Sequence, residues 1–255
     1  MKGVEIHRQE EPSGPTAMLA EPSANYTVAD QERMTRANNY FAWQGRLITG
    51  ELGRRVVEVG AGIGNFTRLL LDREAVFALD IEPACVDRLR NRFAGHPNLQ
   101  VMAGDAASVV LRDLSRFKPD SCVCINVLEH IQDDQAALEN MRSALVPGGI
   151  IVLLVPAFPA LYGPIDRNLG HCRRYTRQTL TDTARAAGLA VRKMHYVNVA
   201  GFFGWWINAR ILRLEAQSAA QIGLFDRYIV PPMSRIESVW RPPFGQSLFA
   251  VLQNS

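Results

Sequence analysis

Short runs of valine, isoleucine and leucine alternate along this chain with segments whose apolar residues recur at intervals of three and four. The runs "RVVEV" (55–59), "AVFALD" (75–80), "LQVMAGD" (99–105), "SCVCIN" (121–126) and "GIIVLLVP" (149–156) have strand length and few polar interruptions. That is the pattern of strands buried on both faces of a sheet. Between them the spacing predicts helices near 65–72, 83–94 and 132–145. The last is ended by "VPGG" (146–149), where Pro147 and two glycines turn the chain back into a strand. Such alternation implies a parallel sheet covered by helices. Ahead of it, Met34, Tyr40, Phe41, Leu47 and Ile48 predict a helix over 29–52. Behind it the expected order is a helix (176–187), a strand (189–196), an aromatic helix (202–214) and a final strand "SLFAVLQ" (247–253).

Composition narrows the class. With 255 residues, 47% of them apolar, the chain can bury the core of one large α/β domain. A formal charge of +3 falls short of the basic footprint of a nucleic-acid binder, and no nucleic-acid partner is expected. Residues 1–28 lack the apolar core of a signal peptide and carry acids and prolines, so a flexible segment is expected there, with a single domain over 29–255. The most apolar patch, "GFFGWWINARIL" (201–212), is interrupted by Asn208 and Arg210 and is far shorter than the ~20 residues of a membrane span. A cytoplasmic setting is the expectation. Cys122 and Cys124 share one strand face and read as packed thiols. The His171–Cys172 pair lacks the paired spacing of a metal site, and no metal is expected.

The chemistry starts in "VVEVGAGIGNFT". Gly60, Gly62 and Gly64 follow a strand and precede a predicted helix, so backbone N–H groups face a ligand across the strand ends. A dinucleotide fingerprint needs a third glycine where Asn65 stands, which disfavours a nucleotide-linked oxidoreductase, and no G-K-[ST] follows to make a P-loop. Glu58 would repel a pyrophosphate but suits an ammonium or sulfonium charge. Asp80 ends the second strand, where an acid can accept from two ribose hydroxyls, and Asp105 follows the third within reach of an adenine amino group.

In order and spacing, "VVEVGAGIGNFT", "ALDIEP", "AGDAA", "CINVLEHI" and "LVPGGIIVLLVP" resemble the motif series of class I S-adenosylmethionine-dependent methyltransferases over about residues 36–196. The resemblance implies an α/β, Rossmann-like, doubly wound seven-stranded sheet of order 3-2-1-4-5-7-6 with strand 7 antiparallel. It implies S-adenosylmethionine as cofactor. Glu58, Gly60, Ala61, Gly62 and Gly64 would line its methionine part, Asp80 its ribose and Ile81 its adenine. Asp105 and Ala106 would meet the adenine edge, and Asn126 would offer its backbone.

Methyl transfer needs an aligned acceptor and, for an O–H or ammonium acceptor, a base. Candidates are His130 in "NVLEHI", and His171 and Tyr175 in "LYGPIDRNLGHCRRYT" (161–176). That loop also carries Asp166, Arg167, Arg173 and Arg174. Its guanidinium groups suit an anionic acceptor or, equally, an internal Arg/Asp network. The loop and "PPFGQSLFAV" look like a bacterial subgroup of these enzymes often found beside glycosyltransferases. Trp205 and Trp206 are candidates to cap a substrate. Segments 157–176 and 200–245 are expected to form a lid with the N-terminal helix. The function expected is methylation of a small-molecule acceptor, with a lipid- or glycan-linked acceptor, RNA or protein as alternatives. The strand-four motif reads "NVLE" rather than Asn-Pro-Pro-Tyr, which argues against amino-group methylation of bases or glutamine.

Overall fold

The five apolar runs become β1 (Arg55–Val59), β2 (Ala75–Asp80), β3 (Leu99–Ala103), β4 (Ser121–Ile125) and β5 (Ile150–Pro156), all parallel. They belong to a computed structural model that describes residues 28–108, 110–212, 214, 216 and 218–254. The flexible segment expected at 1–28 lies outside the described residues, apart from Val28. Two later strands, β6 (Leu189–Val197) and β7 (Ser247–Asn254), complete a seven-stranded sheet of order β3-β2-β1-β4-β5-β7-β6. β7 runs antiparallel to both neighbours, as expected for the last strand.

Helix α1 (Val28–Met34) and α2 (Asn38–Ile48) precede the sheet, and α3 (Pro83–Arg92) joins β2 to β3. Short α4 (Val110–Asp113) and α5 (Asp134–Ala144) flank β4, while α6 (Pro164–Asn168) and α7 (Arg177–Ala186) follow β5. Helix α8 (Val199–Trp206) continues into a π turn, Ile207–Ile211. Helix α9 (Ala219–Leu224) passes through a second π turn, Phe225–Ile229, into α10 (Val230–Val239).

Adjacent residues of the central strands point to opposite faces, and both faces are buried because each meets an apolar layer. Val57, Phe77, Cys122 and Ile151 pack with Leu138, Met141 and Leu180 from α5 and α7. Val56, Val76, Val123 and Val152 pack with Trp43 and Ile48 of α2 and Val230 and Met233 of α10. That two-sided burial explains why these strands carry no polar alternation.

Three elements differ from the sequence expectation. The helix expected over 65–72 is only a 3₁₀ turn, Thr67–Leu69, closed by i to i+3 bonds from Leu69 to Phe66 and Leu70 to Thr67. Its Thr67 hydroxyl donates to Glu58 at 2.6 Å, tying the turn to β1, so no long helix dipole faces the glycine loop. The helix expected over 29–52 breaks at Thr35–Ala37, where tight backbone turns let α1 leave the line of α2. The aromatic helix starts earlier than expected because Asn198 caps it, its side chain accepting from Gly201 N–H at 2.9 Å. Helices α4, α6, α9 and α10 fall where no helix was expected, the last three inside the segments expected as a lid.

Candidate functional site

The carboxyl ends of β1, β2, β3 and β4 open into a cavity of about 1300 Å³. Useful ligand pockets are roughly 300–1,000 Å³, so this one has room for two partners. Glu58, Gly60, Ala61, Gly62, Asp80, Ile81, Asp105, Ala106 and Asn126 all line it, as do His130, His171, Arg174 and Trp205.

Asp80 is the hinge of the glycine loop. Its carboxylate accepts from the backbone N–H of Gly62 at 2.6 Å and of Glu82 at 2.9 Å. Burial raises its pKa and these backbone bonds pull it back. Each oxygen keeps a further lone pair for a ligand hydroxyl. Gly60 and Gly62 have φ of +73° and +56°, where a side chain is strained. A Cβ on Gly62 would also collide with the Gln31 amide of α1. That amide accepts from Ile63 N–H at 2.8 Å, while Asn65 donates to the Gln31 carbonyl at 3.0 Å. So Asn65, where a dinucleotide site would have glycine, latches α1 over the loop.

Glu58 is buried, and burial pushes its carboxyl up to about 8 against the opposing hydrogen bond from Thr67. Asp105 accepts from Ala107 N–H at 2.8 Å. Asn126 sits at φ +51°, a left-handed position that Asn tolerates, and there turns β4 towards the following segment.

Across the cavity lies a second group of polar side chains. The backbone N–H of Cys172 donates to the Glu129 carbonyl at 2.8 Å, which holds the loop after α6 against the 3₁₀ turn Leu128–His130. His171 and His130 meet edge to face, ring centroids 4.7 Å apart. Asp166, fully buried, accepts from His171 Nδ1 at 2.9 Å, Arg174 Nε at 2.7 Å, Gly163 N–H at 2.9 Å and Trp205 Nε1 at 3.3 Å. Burial would raise its carboxyl, but the His171 bond and the Arg174 charge hold it below the usual range. Since a carboxylate only accepts, His171 carries a proton on Nδ1 and turns its Nε2 towards Glu129, 3.9 Å away. Burial lowers His130 to about 4, with His171 adding to the shift. Glu129 is fully buried, pushed up to about 7 by burial, and neither carboxylate oxygen meets a hydrogen-bond donor among the described residues.

Several expected site residues lie off the cavity. Tyr175 is buried with its hydroxyl donated to Asp134 at 2.8 Å, and burial drives its pKa far up, which disqualifies it as a base. Arg173 pairs with the same Asp134 at 2.8 Å and donates to the Gln132 carbonyl. Arg174 lines the cavity, but its charge is taken up by Asp166 and its plane lies over Trp205. The internal Arg/Asp network is therefore what forms. Arg167 and Trp206 are exposed and, with Asp166 and Gly64, absent from the lining. Gly64 instead lets Leu89 and Phe93 approach. Sequence reasoning missed Glu129, Gln31, Tyr40, Gln44 and Asp226, all of which line the cavity. Glu129 could have been found beside His130; the others belong to elements that meet the site only in three dimensions.

A family model described as "Methyltransferase domain" matches residues 29–194. A provisionally named S-adenosylmethionine-dependent methyltransferase of Mycolicibacterium smegmatis is 30% identical over 142 residues, 54% of this chain and 53% of that protein. A provisionally named ribosomal RNA small subunit methyltransferase A of Methanosarcina mazei is 46% identical over 55 residues, 21% of this chain and 20% of that protein. The chain spans about half the length, or less, of these curated relatives. Among solved structures, one from a complex of the Haloferax volcanii Trm112 methyltransferase activator with a provisionally named methyltransferase has a TM-score of 0.64 at 18% identity. It covers 92% of this chain and 99% of that one. At that identity the likeness shows the fold alone.

Proposed function

The chain belongs to the methyltransferase domain family, and on that premise we propose that it moves a methyl group from S-adenosylmethionine to a small-molecule acceptor held in the cavity. The observation that carries this reading is one continuous lining that runs from Glu58 through the glycine loop to Asp80 and Asp105. The residues fit the cofactor: a buried carboxylate without a cationic partner at Glu58 suits its ammonium group, and Asp80 suits a ribose diol. When bound, the cofactor supplies a methyl group activated by a sulfonium centre.

The chain's own work is placement and proton handling. Helix α1, fastened by Gln31 to the glycine loop, together with α6, α8 with its π turn, and α9 with the second π turn, serves as a lid that keeps water out. The acceptor occupies the side of the cavity bounded by His130, His171, Trp205 and Asn208. His171, oriented by Asp166, is the group best placed to take a proton there through Nε2. Burial leaves His130 neutral but a weak base.

A second reading, an acceptor attached to lipid, is favoured by one observation. Phe203, Trp206, Ile207, Ile211 and Leu212 present exposed apolar side chains beside the α8 wall of the cavity. Among the described residues no helix is long and apolar enough to cross a membrane, so such contact would be peripheral.

Calorimetric titration tests the main reading: S-adenosylmethionine binds at one site and NAD does not. A folded protein that binds NAD and ignores S-adenosylmethionine overturns it. Turnover of soluble acceptors that is unchanged by added vesicles separates the first reading from the second.

A further inference from the structure

The acceptor side of the cavity holds an arrangement that methyl transfer alone does not explain. Glu129, His130 and His171 each offer one donor atom, and these atoms lie within 4.8 Å of one another. Two come from the turn after β4 and the third from the loop after α6, brought together by the Cys172–Glu129 backbone bond. We propose that Glu129, His130 and His171 form a site for a divalent transition-metal cation of the zinc class, open on the cavity side to an oxygen of the acceptor.

Three observations carry the site. First, a fully buried carboxylate whose two oxygens meet no donor is a costly feature in a folded protein. A cation beside Glu129 removes that cost. Second, His171 is oriented as a metal-ligating histidine is: Nδ1–H donates to the buried Asp166 carboxylate at 2.9 Å, leaving Nε2 turned towards Glu129. Asp166 is in turn fixed by Arg174, Trp205 and Gly163 N–H, so the ring has little freedom to turn. Third, two imidazoles and one carboxylate with an open position are the donor set of catalytic zinc-type sites, whereas magnesium and calcium prefer all-oxygen sets. Zinc–ligand bonds of about 2.0–2.2 Å set neighbouring donors roughly 3.4 Å apart, so side-chain rotation by about an ångström closes the set.

The cation's role rests on the methyl-transfer reading: with the cation bound, His171 Nε2 is a ligand and no longer a base, and the cation would instead hold an acceptor hydroxyl and lower its pKa, so that the oxygen releases its proton to solvent near neutral pH. The binding site itself does not rest on that reading.

The test uses the full chain, stripped of metal with a chelator and titrated with Co²⁺, whose visible bands intensify on entering a tetrahedral site. One equivalent should bind with intensified bands, and Zn²⁺ should displace it and bleach the colour. Glu129→Gln, His130→Ala and His171→Asn should each weaken Co²⁺ affinity at least about tenfold. S-adenosylmethionine affinity, measured on the same samples, should stay within about threefold, which also certifies that each variant is folded. The proposal is overturned by wild-type protein that binds no cation, or by folded variants that bind it as tightly as wild type. It is equally overturned if the colour depends on the exposed thiol Cys172, through a thiolate band lost in Cys172→Ser, and not on Glu129. Co²⁺ binding of the expected kind without S-adenosylmethionine binding would leave the metal site standing and remove the methyl-transfer reading.

Discussion

Two carboxylates, Asp80 and Glu58, set the electrostatics of the side of the cavity proposed for the cofactor, and they do so differently. Asp80 is pinned by Gly62 and Glu82 N–H groups. Its removal unties the loop and deletes the contacts proposed for a ribose. Charge-assisted hydrogen bonds are worth about 1.5–3 kcal/mol, so Asp80→Ala should weaken S-adenosylmethionine binding by about ten- to a hundredfold in calorimetry. Unchanged affinity in the folded variant would remove Asp80 from the site. Glu58 is governed by burial, which lifts its carboxyl from the usual 4.5 to about 8. A cationic ligand group favours the ionised form, so below pH 8 binding expels a proton. Affinity should therefore rise from pH 6 to 8, by up to about tenfold per unit, and level off above. Glu58→Gln should bind more weakly and show a flat profile. The same raised pKa means that the ligand-free fold loses stability as pH rises from 4.5 to about 8. Calorimetry in two buffers of different ionisation enthalpy reads the proton release directly.

At the scale of elements, the proposed lid helix α1 and the loop after α6 are held by unlike means. Helix α1 has no buried residue of its own and is attached through Gln31, an Asn65 bond and the Arg88–Glu32 ion pair. Such an element opens at little cost. Gly62→Val would force α1 away as well as strain φ +56°, so S-adenosylmethionine binding should be lost while the protein stays folded, its melting temperature lowered by several degrees. Near-native affinity in that variant would show that the loop needs neither its backbone angle nor its latch. The loop after α6 is anchored by a buried ion pair. Arg174→Ala removes the guanidinium from the buried Asp166 and leaves it only the hydrogen bonds from His171, Gly163 and Trp205, a change that costs up to about 3–5 kcal/mol. Arg173→Ala breaks a part-exposed pair and should cost about 1 kcal/mol or less. Chemical denaturation distinguishes the two. If these arginines instead recognise an anionic acceptor, both variants keep wild-type stability and lose activity selectively on charged acceptors.

For the whole molecule, ligand binding and folding are linked, because the cavity is built from both ends of the chain's described length. A ligand at a hundred times its Kd stabilises by about 2.7 kcal/mol, which for a domain of this size raises the melting temperature by roughly 5–10 °C. Saturating S-adenosylmethionine should give that shift and NAD none; equal shifts would remove cofactor selectivity from the proposal. The sheet was legible in sequence because its strands are buried on both faces, and a run such as "RVVEV" or "GIIVLLVP" announces that burial locally. That Glu58, Gly60, Gly62 and Asp80 would share one cavity was legible for a related reason: they sit at or beside strand ends, where position in the motif fixes position at the sheet edge. The sequence by itself thus determined the parallel strands and the edge on which ligands are expected to gather, while the strand order followed from the resemblance of the motif series. Only the tertiary structure decided the other half of the cavity. Arg174 looks like a free cation in "HCRRYT" until Asp166 is folded beneath it, and Tyr175 looks like a base until it is buried against Asp134. Glu129 and His171 stand 42 positions apart and share no local pattern. What joins them is the Cys172–Glu129 backbone bond and the packing of one loop on one turn, long-range contacts that no periodicity encodes.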